Sequence, residues 1–548
     1  MAKVTINGFT VEVADGTMIL PAAEKAGVQI PRFCYHPDLP LAGNCRICQV
    51  EIEGMPKLVI SCMTPVKDGM VVRTDTDRVK KAVQGDLEFL LANHPVDCPI
   101  CDQAGECYLQ DFYMSVGLHG SRVPLPEKVK KRKVLDLGSI VLDSERCVMC
   151  SRCIRFSDEV SKTHQFGFFQ RGSRMEIGTF RDRKVEDAYS GCYDDVCPVG
   201  ALTLPDFRFK ARVWFLKETA SICPECSTGC NIRIDHGSAS PSGRPTGEGQ
   251  VYRYTPRRNP DVNRSWMCDQ GRYSYKQLAS PGRLGRALLR GDNGVLEAVP
   301  LATALDHLVS KLGAARGAAK VVAGLATPRA SLEALYLFRR LLRDTLATPH
   351  LDFRVDPATT RVAEREDQVL RRADHNPNTR GAELLDLKPG AGGKDVAGIL
   401  AAAAAGKVDV LWVLGPELWR WPDHDAVARA VKGAAFTVLH DTHEREEHAL
   451  FDLVLPTAAV AECEGSFVNF AMRLQRFRRA VAPPGEARSL AEVLAAVEAG
   501  LRGESPLRTA REIFHQLSAE VEVLRGLTLE SLPNLGVDLA AKEVATAS

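Results

Sequence analysis

The stretch His94-Pro-Val-Asp-Cys98-Pro-Ile-Cys101-Asp-Gln-Ala-Gly-Glu-Cys107 places one imidazole and three thiols within fourteen residues. Upstream lies Cys34-x10-Cys45-x2-Cys48-x13-Cys62, and downstream Cys147-x2-Cys150-x2-Cys153 with a distant Cys197-Pro198. Soft ligands at this density hold soft metals. The Cys147 run has the spacing that iron–sulfur proteins use around a cubane. A single Cys-x2-Cys reads first as a zinc knuckle, and a lone His as a surface or cap residue; three sets in succession move the reading to sulfur-ligated clusters, with zinc and disulfides as the alternatives. A fourth set, Cys223-x2-Cys226-x3-Cys230 with Cys268 in Arg264-Ser-Trp-Met-Cys268-Asp-Gln-Gly-Arg272, is on spacing alone a further cluster or a zinc ribbon.

The chain around these sets has 548 residues, enough for about three to five domains. Its formal net charge is only +1, which gives no sign of a nucleic-acid partner. Nearly all of the 17 cysteines precede residue 270 and sit in short-spaced groups, which favours metal ligation over a secreted disulfide framework. Met1 to Gly8 lacks the basic and apolar blocks of a signal peptide, and the long apolar run Ile399 to Gly415 is broken by Lys407 and Asp409. No transmembrane helix is therefore expected, and membrane association has to go through a partner.

The elements that must position the thiols follow from local pattern. Lys3 to Ile6 and Thr10 to Val13 alternate around Asn7-Gly8, a strong hairpin signal, and a short helix is expected near Met18 to Lys25. This is a ferredoxin-like β-grasp opening. Cys34, Cys45 and Cys48 fall in the next loop, with Gly43 available for a tight turn, and Cys62 follows the expected strand Gln49 to Glu53. Four thiolates suit a 2Fe–2S cluster, but the spacing departs from the plant-type run and does not by itself decide the cluster type. Asp75 to Ala92 reads as an amphipathic helix, with Val79, Ala82, Val83, Leu90 and Leu91 on one face, that delivers the chain to His94. Leu118 to Arg132, rich in Pro and Lys, reads as a linker.

In this order the Cys34, His94 and Cys147 sets resemble the large iron–sulfur subunits of the proton-pumping NADH:quinone oxidoreductases, the G-subunit family of bacterial respiratory complex I; related NAD-linked hydrogenases and formate dehydrogenases share the order. The resemblance implies a 2Fe–2S cluster on Cys34, Cys45, Cys48 and Cys62. It implies 4Fe–4S clusters on the next two sets, with His94 as the non-cysteine ligand beside Cys98, Cys101 and Cys107. An imidazole in place of a thiolate removes one negative charge and should raise the potential, as in Rieske centres. In the third set, the position where two-cluster ferredoxins carry a fourth nearby cysteine is Ser157, so one cluster is expected, on Cys147, Cys150, Cys153 and Cys197. Cys192 is read as a buried small residue.

Cys223, Cys226, Cys230 and Cys268 resemble the 4Fe–4S module that opens molybdopterin oxidoreductases, which implies a third 4Fe–4S cluster. Catalytic members of that family carry a lysine two residues after the last cysteine; here Gln270 stands there. Residues 273–548 are rich in Ala and Leu and alternate helices with strands such as Val321 to Leu325, Val408 to Leu414 and Thr437 to His440, a parallel α/β domain. Val454 to Asn469, Arg473-Leu-Gln475 and Pro483 to Arg488 also resemble the molybdopterin family. Leu351-Asp-Phe-Arg354 should precede that family's molybdenum ligand, yet Val355, Asp356 and Pro357 follow, so no molybdenum or molybdopterin is expected. Gly390-Ala-Gly-Gly-Lys394 lacks the spacing of a phosphate loop and is read as flexible linker, and Cys463 as core.

The expected fold is thus a multidomain α+β and α/β chain. A 2Fe–2S ferredoxin-like domain spans 1–78, a 4Fe–4S domain with the mixed histidine and cysteine set 79–118, a ferredoxin-like 4Fe–4S domain 133–212, a molybdopterin-oxidoreductase-type cluster domain 216–272, and a degenerate molybdopterin-like domain 273–548. No Gly-x-Gly-x-x-Gly unit for NAD or flavin opens a βαβ element, so hydride chemistry falls to another subunit and no catalytic residue is assigned. The resemblance implies an electron-relay subunit of NADH:quinone oxidoreductase, passing single electrons from NADH and FMN on a partner toward quinone. It implies the NADH/FMN-binding subunit and downstream iron–sulfur subunits as partners, and a peripheral place on the cytoplasmic side of the inner membrane. The alternatives are the iron–sulfur or molybdopterin subunit of an NAD-linked formate dehydrogenase or hydrogenase, and a zinc-bearing scaffold.

Overall fold

The computed structural model describes residues 1–117, 122–172, 174–239, 245–318, 320–507 and 509–542. The chain divides into two compact units, the first built on Met1–Leu216 and the second on Lys217–Ser238 and Thr246 onward.

In the first unit, strands Ala2–Ile6 and Phe9–Val13 form the hairpin, with Asn7 and Gly8 both at positive φ as the tight turn requires. They extend into a five-stranded sheet with Met70–Arg73 parallel to the first strand, then Gln49–Ile52 and Val59–Ile60. Helix Ile19–Lys25 buries Ile19, Leu20, Ala22 and Ala23 against this sheet, and the first cysteine loop spans from the helix to the strand Gln49–Ile52.

Helix Asp77–Asn93 starts at Thr76, whose hydroxyl accepts the Val79 N–H at 3.3 Å. Its buried stripe is Val79, Val83 and Leu87, with Leu90 and Leu91 half-buried beside it; Leu87 extends the expected face. Each such side chain contributes about 1.5–3 kcal/mol on full burial. Pro95 ends the helix by forcing His94 into extended backbone, ψ 136. The expected linker is tied down where it is described. Arg122 pairs with Glu88, Lys128 Nζ donates to the carbonyls of Leu91 (3.1 Å) and His94 (2.7 Å), and Val129 N–H donates to Asn93. Residues 118–121 of it lie outside the described residues.

Short strands Leu135–Asp136, Val141–Leu142 and Leu202–Thr203 and helices Arg152–Glu159 and Cys192–Val196 frame the third cysteine set. Ser157 is structural: its hydroxyl accepts the Gln165 N–H at 2.7 Å. Cys192 is fully buried.

The second unit opens with a three-stranded sheet of Lys217–Ile222, Asn231–Ala239 and Pro245–Pro256. The Gly- and Pro-rich stretch His236 to Gly249, which composition alone makes a loop, is largely strand, and 240–244 lie outside the described residues. The main domain is a seven-stranded sheet. Its parallel part runs, across the sheet, Leu351–Asp352, Val322–Leu325, Val410–Leu414, Phe436–Asp441 and Leu453–Pro456, with Ala287–Arg290 and Leu296–Val299 antiparallel at the edge. In chain order the parallel strands lie second, first, third, fourth, fifth, a doubly wound arrangement with a switch point between the first and third. Val410, Trp412 and Leu414 enter one core while Leu411 and Val413 enter the other, so both faces of the sheet are covered. Gly390 to Lys394 is an anchored turn: Gly390 N–H donates to Pro349 O at 3.0 Å and Lys394 N–H to His350 Nδ1 at 3.2 Å, just before the N-cap Asp395.

Candidate metal centres

The first thiol set is brought together completely. Sulfur–sulfur hydrogen bonds link Cys45 to Cys34, Cys34 to Cys62 and Cys62 to Cys48. The bond with Cys45, then that with Cys62, draws Cys34 far below the usual thiol range, and Cys45 and Cys62 rise in return. The Cys34 N–H lies 3.4 Å from Cys45 Sγ, a contact that favours a thiolate. Arg46, between Cys45 and Cys48, sits at φ 60, a left-handed position that costs a non-glycine residue about 1–2 kcal/mol. A loop wrapped around sulfur supplies the reason for such strain.

In the second set, Cys98, Cys101 and Cys107 stand within electrostatic reach of one another, and burial pushes Cys107 up to about 11. His94, at the end of its helix, is lowered to about 4, chiefly by burial, so its imidazole is neutral at pH 7 as a ligand must be. Its Nδ1 accepts the Val96 N–H at 3.1 Å; ligation through Nε2 would move the ring proton to Nδ1 and break this bond. Gly200 shows that the site has no slack, since a Cβ there would collide with Cys101 Sγ.

The four thiols of the third set line one small cavity with Val148, Ile177 and Pro198. Met149 (φ 53) and Ser151 (φ 62) are left-handed inside the Cys147 run, and the Met149 N–H lies 3.3 Å from Cys147 Sγ. Burial pushes Cys147 up to about 12, and raises Cys153 and Cys197 well above the usual range with help from neighbouring thiolate charge. Buried thiols crowded in this way stay protonated until a cation replaces the protons, which is the condition iron meets.

In the fourth set, Cys223 is raised by burial and then by Cys268, and Cys268 to about 12 by burial. Gly271 makes room between them: a Cβ there would stand 2.8 Å from Cys223 Sγ and 3.7 Å from Cys268 Sγ. The Gly271 N–H lies 3.5 Å from Cys268 Sγ at the start of helix Asp269–Tyr273. Among the described residues no three His, Cys, Asp or Glu converge tightly enough to grip a single ion. The donor chemistry of all four sets, and the space that Gly200 and Gly271 leave beside the sulfurs of the second and fourth, fit iron–sulfur clusters.

The residues that pattern reading missed are arginines. Arg146 is nearly buried and makes a two-point ion pair to Asp97 (2.8 and 3.1 Å), joining the residue before Cys147 to the residue before Cys98. Arg152 donates to the carbonyls of Tyr35 (2.6 Å) and Val196 (3.3 Å), and Arg155 to those of Cys34, Pro40 and Cys150. In sequence they look like solvated charges; their one signal is adjacency to cysteine.

Five family models match in order along the chain: a 2Fe-2S iron-sulfur cluster binding domain at 1–77, the NADH-ubiquinone oxidoreductase-G iron-sulfur binding region at 84–122, the NADH-quinone oxidoreductase subunit 3 ferredoxin-like domain at 138–203, the molybdopterin oxidoreductase Fe4S4 domain at 216–280, and molybdopterin oxidoreductase at 376–499. The NADH-quinone oxidoreductase G subunit of Rickettsia bellii (strain RML369-C) is 36% identical over 417 residues, 74% of this chain and 57% of its own length. Its counterpart in Streptomyces coelicolor is 38% identical over 65% of this chain and 41% of its own length. The chain belongs to the G-subunit family of NADH-quinone oxidoreductases. The mitochondrial NADH dehydrogenase [ubiquinone] iron-sulfur protein 1 of Solanum tuberosum is 45% identical over 55% of this chain and 39% of its own length. The chain spans about half the length of the curated relatives it matches. It carries both 2Fe–2S and 4Fe–4S binding domains.

The molybdopterin match raises the question of whether this chain can hold that cofactor. A cavity of about 530 Å³ opens at the carboxyl ends of the parallel strands, where a doubly wound sheet binds its ligand. Its arginines are already engaged: Arg329 lies 3.3 Å from Glu225 and 3.6 Å from Glu417, Arg420 2.6 Å from Asp356, and Arg445 2.8 Å from Asp441. After Arg354 come Val355, which is buried, and Asp356, whose carboxylate is held by Arg420 and by the Ala358 N–H at 2.9 Å. These residues do not fit an anionic, metal-bearing pterin. Cys463, expected in the core, is half-buried on the wall of this cavity.

Proposed function

We propose that this chain is the iron–sulfur relay subunit of a proton-translocating NADH:quinone oxidoreductase, carrying single electrons from NADH and FMN on a partner subunit toward quinone. The observation that supports this best is the convergence of three thiol sets within one unit: Phe33, Cys34, Val148, Cys150 and Val199 share one core, with Cys45, Cys107, Cys147 and Cys197 packed against it. Cys34, Cys45, Cys48 and Cys62 would hold a 2Fe–2S cluster. His94, Cys98, Cys101 and Cys107, then Cys147, Cys150, Cys153 and Cys197, then Cys223, Cys226, Cys230 and Cys268 would hold one 4Fe–4S cluster each. When bound, such clusters supply one-electron steps without proton chemistry.

The protein's own part is to place and tune. Thiolates fix each site, backbone N–H groups near Cys45, Cys147 and Cys268 favour the more reduced state, and apolar walls keep water out. The partners are the other peripheral-arm subunits, including the one that binds NADH and FMN. The chain sits peripherally on the cytoplasmic side of the inner membrane; among the described residues no helix is long and apolar enough to cross it. The formate-dehydrogenase alternative needs a metal ligand and cation-lined pterin site that the second unit's geometry does not support.

Metal analysis with low-temperature EPR of the purified holocomplex tests the reading. Roughly 14 iron atoms per chain and one 2Fe–2S signal beside 4Fe–4S signals are expected. Stoichiometric zinc with iron correspondingly short would overturn it.

A further inference from the structure

Arginine ties two of the thiol sets to each other. Arg155 lies on helix Arg152–Glu159, just past Cys153. Its Nη2 donates to the carbonyl of Cys34 in the first set and, at 3.3 Å, to the carbonyl of Cys150 in the third. Nη1 donates to Pro40 O in the first loop, and Nε to Ser151 Oγ at 3.3 Å in the third. Asn44, beside Cys45, adds a second tie, its amide nitrogen lying 3.3 Å from Met149 O and 3.4 Å from Ser151 Oγ. Among the described residues no carboxylate pairs with Arg155, whereas Arg146, at the other junction of the third set, is neutralised by Asp97. A half-buried guanidinium without a counter-ion thus stands between a backbone carbonyl of one ligand residue and that of another.

We propose that Arg155 is the positioning residue of the junction between the Cys34 set and the Cys147 set. Its planar fork serves carbonyls on both loops at once, so it holds the two sets at one separation; a lysine has the charge but not the fork. Its positive charge lies within hydrogen-bond reach of a ligand residue on either side, where burial limits screening, and so stabilises the reduced, more negative state of both. The two potentials are therefore raised together. This rests on the reading that both sets hold clusters.

The test is EPR-monitored redox titration of the assembled complex carrying Arg155→Met or Arg155→Lys, with the relaxation of the 2Fe–2S signal recorded when both clusters are reduced. In the wild type both signals must be present; loss of either would overturn the ligand assignment itself, and this proposal with it. Arg155→Met should lower both midpoints. Arg155→Lys should hold both near wild type while the relaxation enhancement of one cluster by the other weakens, because the separation is no longer fixed. An Arg155→Met complex with both midpoints unmoved, or only one moved, overturns the proposal. Should the Met variant not assemble, the Lys variant decides: unchanged magnetic interaction refutes the positioning role.

Discussion

Glu333 offers a test of the second unit that needs no metal. It occupies the first turn of helix Leu332–Arg340, fully buried, and its carboxylate accepts the Ser466 N–H at 3.0 Å and the Ser466 hydroxyl at 2.8 Å. Burial outweighs these bonds and pushes the carboxyl from 4.5 up to about 7. Between those values the folded state binds more protons than the unfolded one, so stability must fall as pH rises. The contribution is fully present below about pH 4.5 and lost as pH passes through 7. The shift corresponds to about 3 kcal/mol at ~1.4 kcal/mol per unit. Glu333→Gln has nothing to ionise and should lose this slope, while the Ser466 hydroxyl can turn to accept from the new amide. The assay is hydrogen exchange, by mass spectrometry between about pH 5 and 8, of peptides covering the strands Val410–Leu414 and Phe436–Asp441, corrected for intrinsic exchange. Because part of the contribution is already lost at pH 5, the opening free energy of the wild type should fall across this range by about 2.5 kcal/mol more than that of the variant. Equal slopes in the two proteins would refute the reasoning.

Two further outcomes follow from the metal sites. His94→Cys replaces a neutral ligand with an anionic one, so the cluster should survive with a lower midpoint in EPR-monitored titration; an unchanged spectrum and midpoint would remove His94 from the ligand set. Cys226→Ala should reduce the yield of assembled complex far more than the NADH-to-quinone turnover per bound flavin, because the neighbouring cavity does not fit a pterin and Gln270 stands in the relay position. A collapse of the flavin-normalised rate with normal assembly would put that cluster on the electron path.

The fold also decides what the fourth set would hold together. As a loop, His236 to Gly249 would leave the link from Cys223 to Cys268 to close a long disordered segment. Its described residues belong instead to strands Asn231–Ala239 and Pro245–Pro256, neighbours in one three-stranded sheet, and Lys217–Ile222 pairs with the first of them over Asn231 to His236. What the cluster would lock is the approach of Gly271 to Cys223, a packing contact.

Cysteine spacing, the Asn7-Gly8 turn, the amphipathic helix before His94 and the short β-branched strands were legible from residues alone because each is local: turn chemistry, hydrophobic periodicity and soft-ligand grouping act within a few residues. That Val355, Asp356 and Pro357 follow Arg354 is plain from residue identity, while the expectation of a metal ligand there comes from the family resemblance. Which loop meets which was not. Nothing in the series Cys147 to Cys153 says that the Met149 carbonyl will meet Asn44 in the first loop, or that Arg155 will donate to the carbonyls of both Cys150 and the sequence-distant Cys34. Nor does composition tell an anchored Gly390 to Lys394 turn from a free one, since the anchor is Pro349 and His350 on another strand's edge. Cys463 packs against the core of Ile222, Phe467 and Phe477, as its apolar sequence neighbours promise, but the strands' shared carboxyl edge opens a cavity beside it and leaves it half-buried. Burial, and with it the neutrality of His94, the raised carboxyl of Glu333 and the uncompensated charge of Arg155, depends on distant segments excluding water from one place, and that only the folded chain decides.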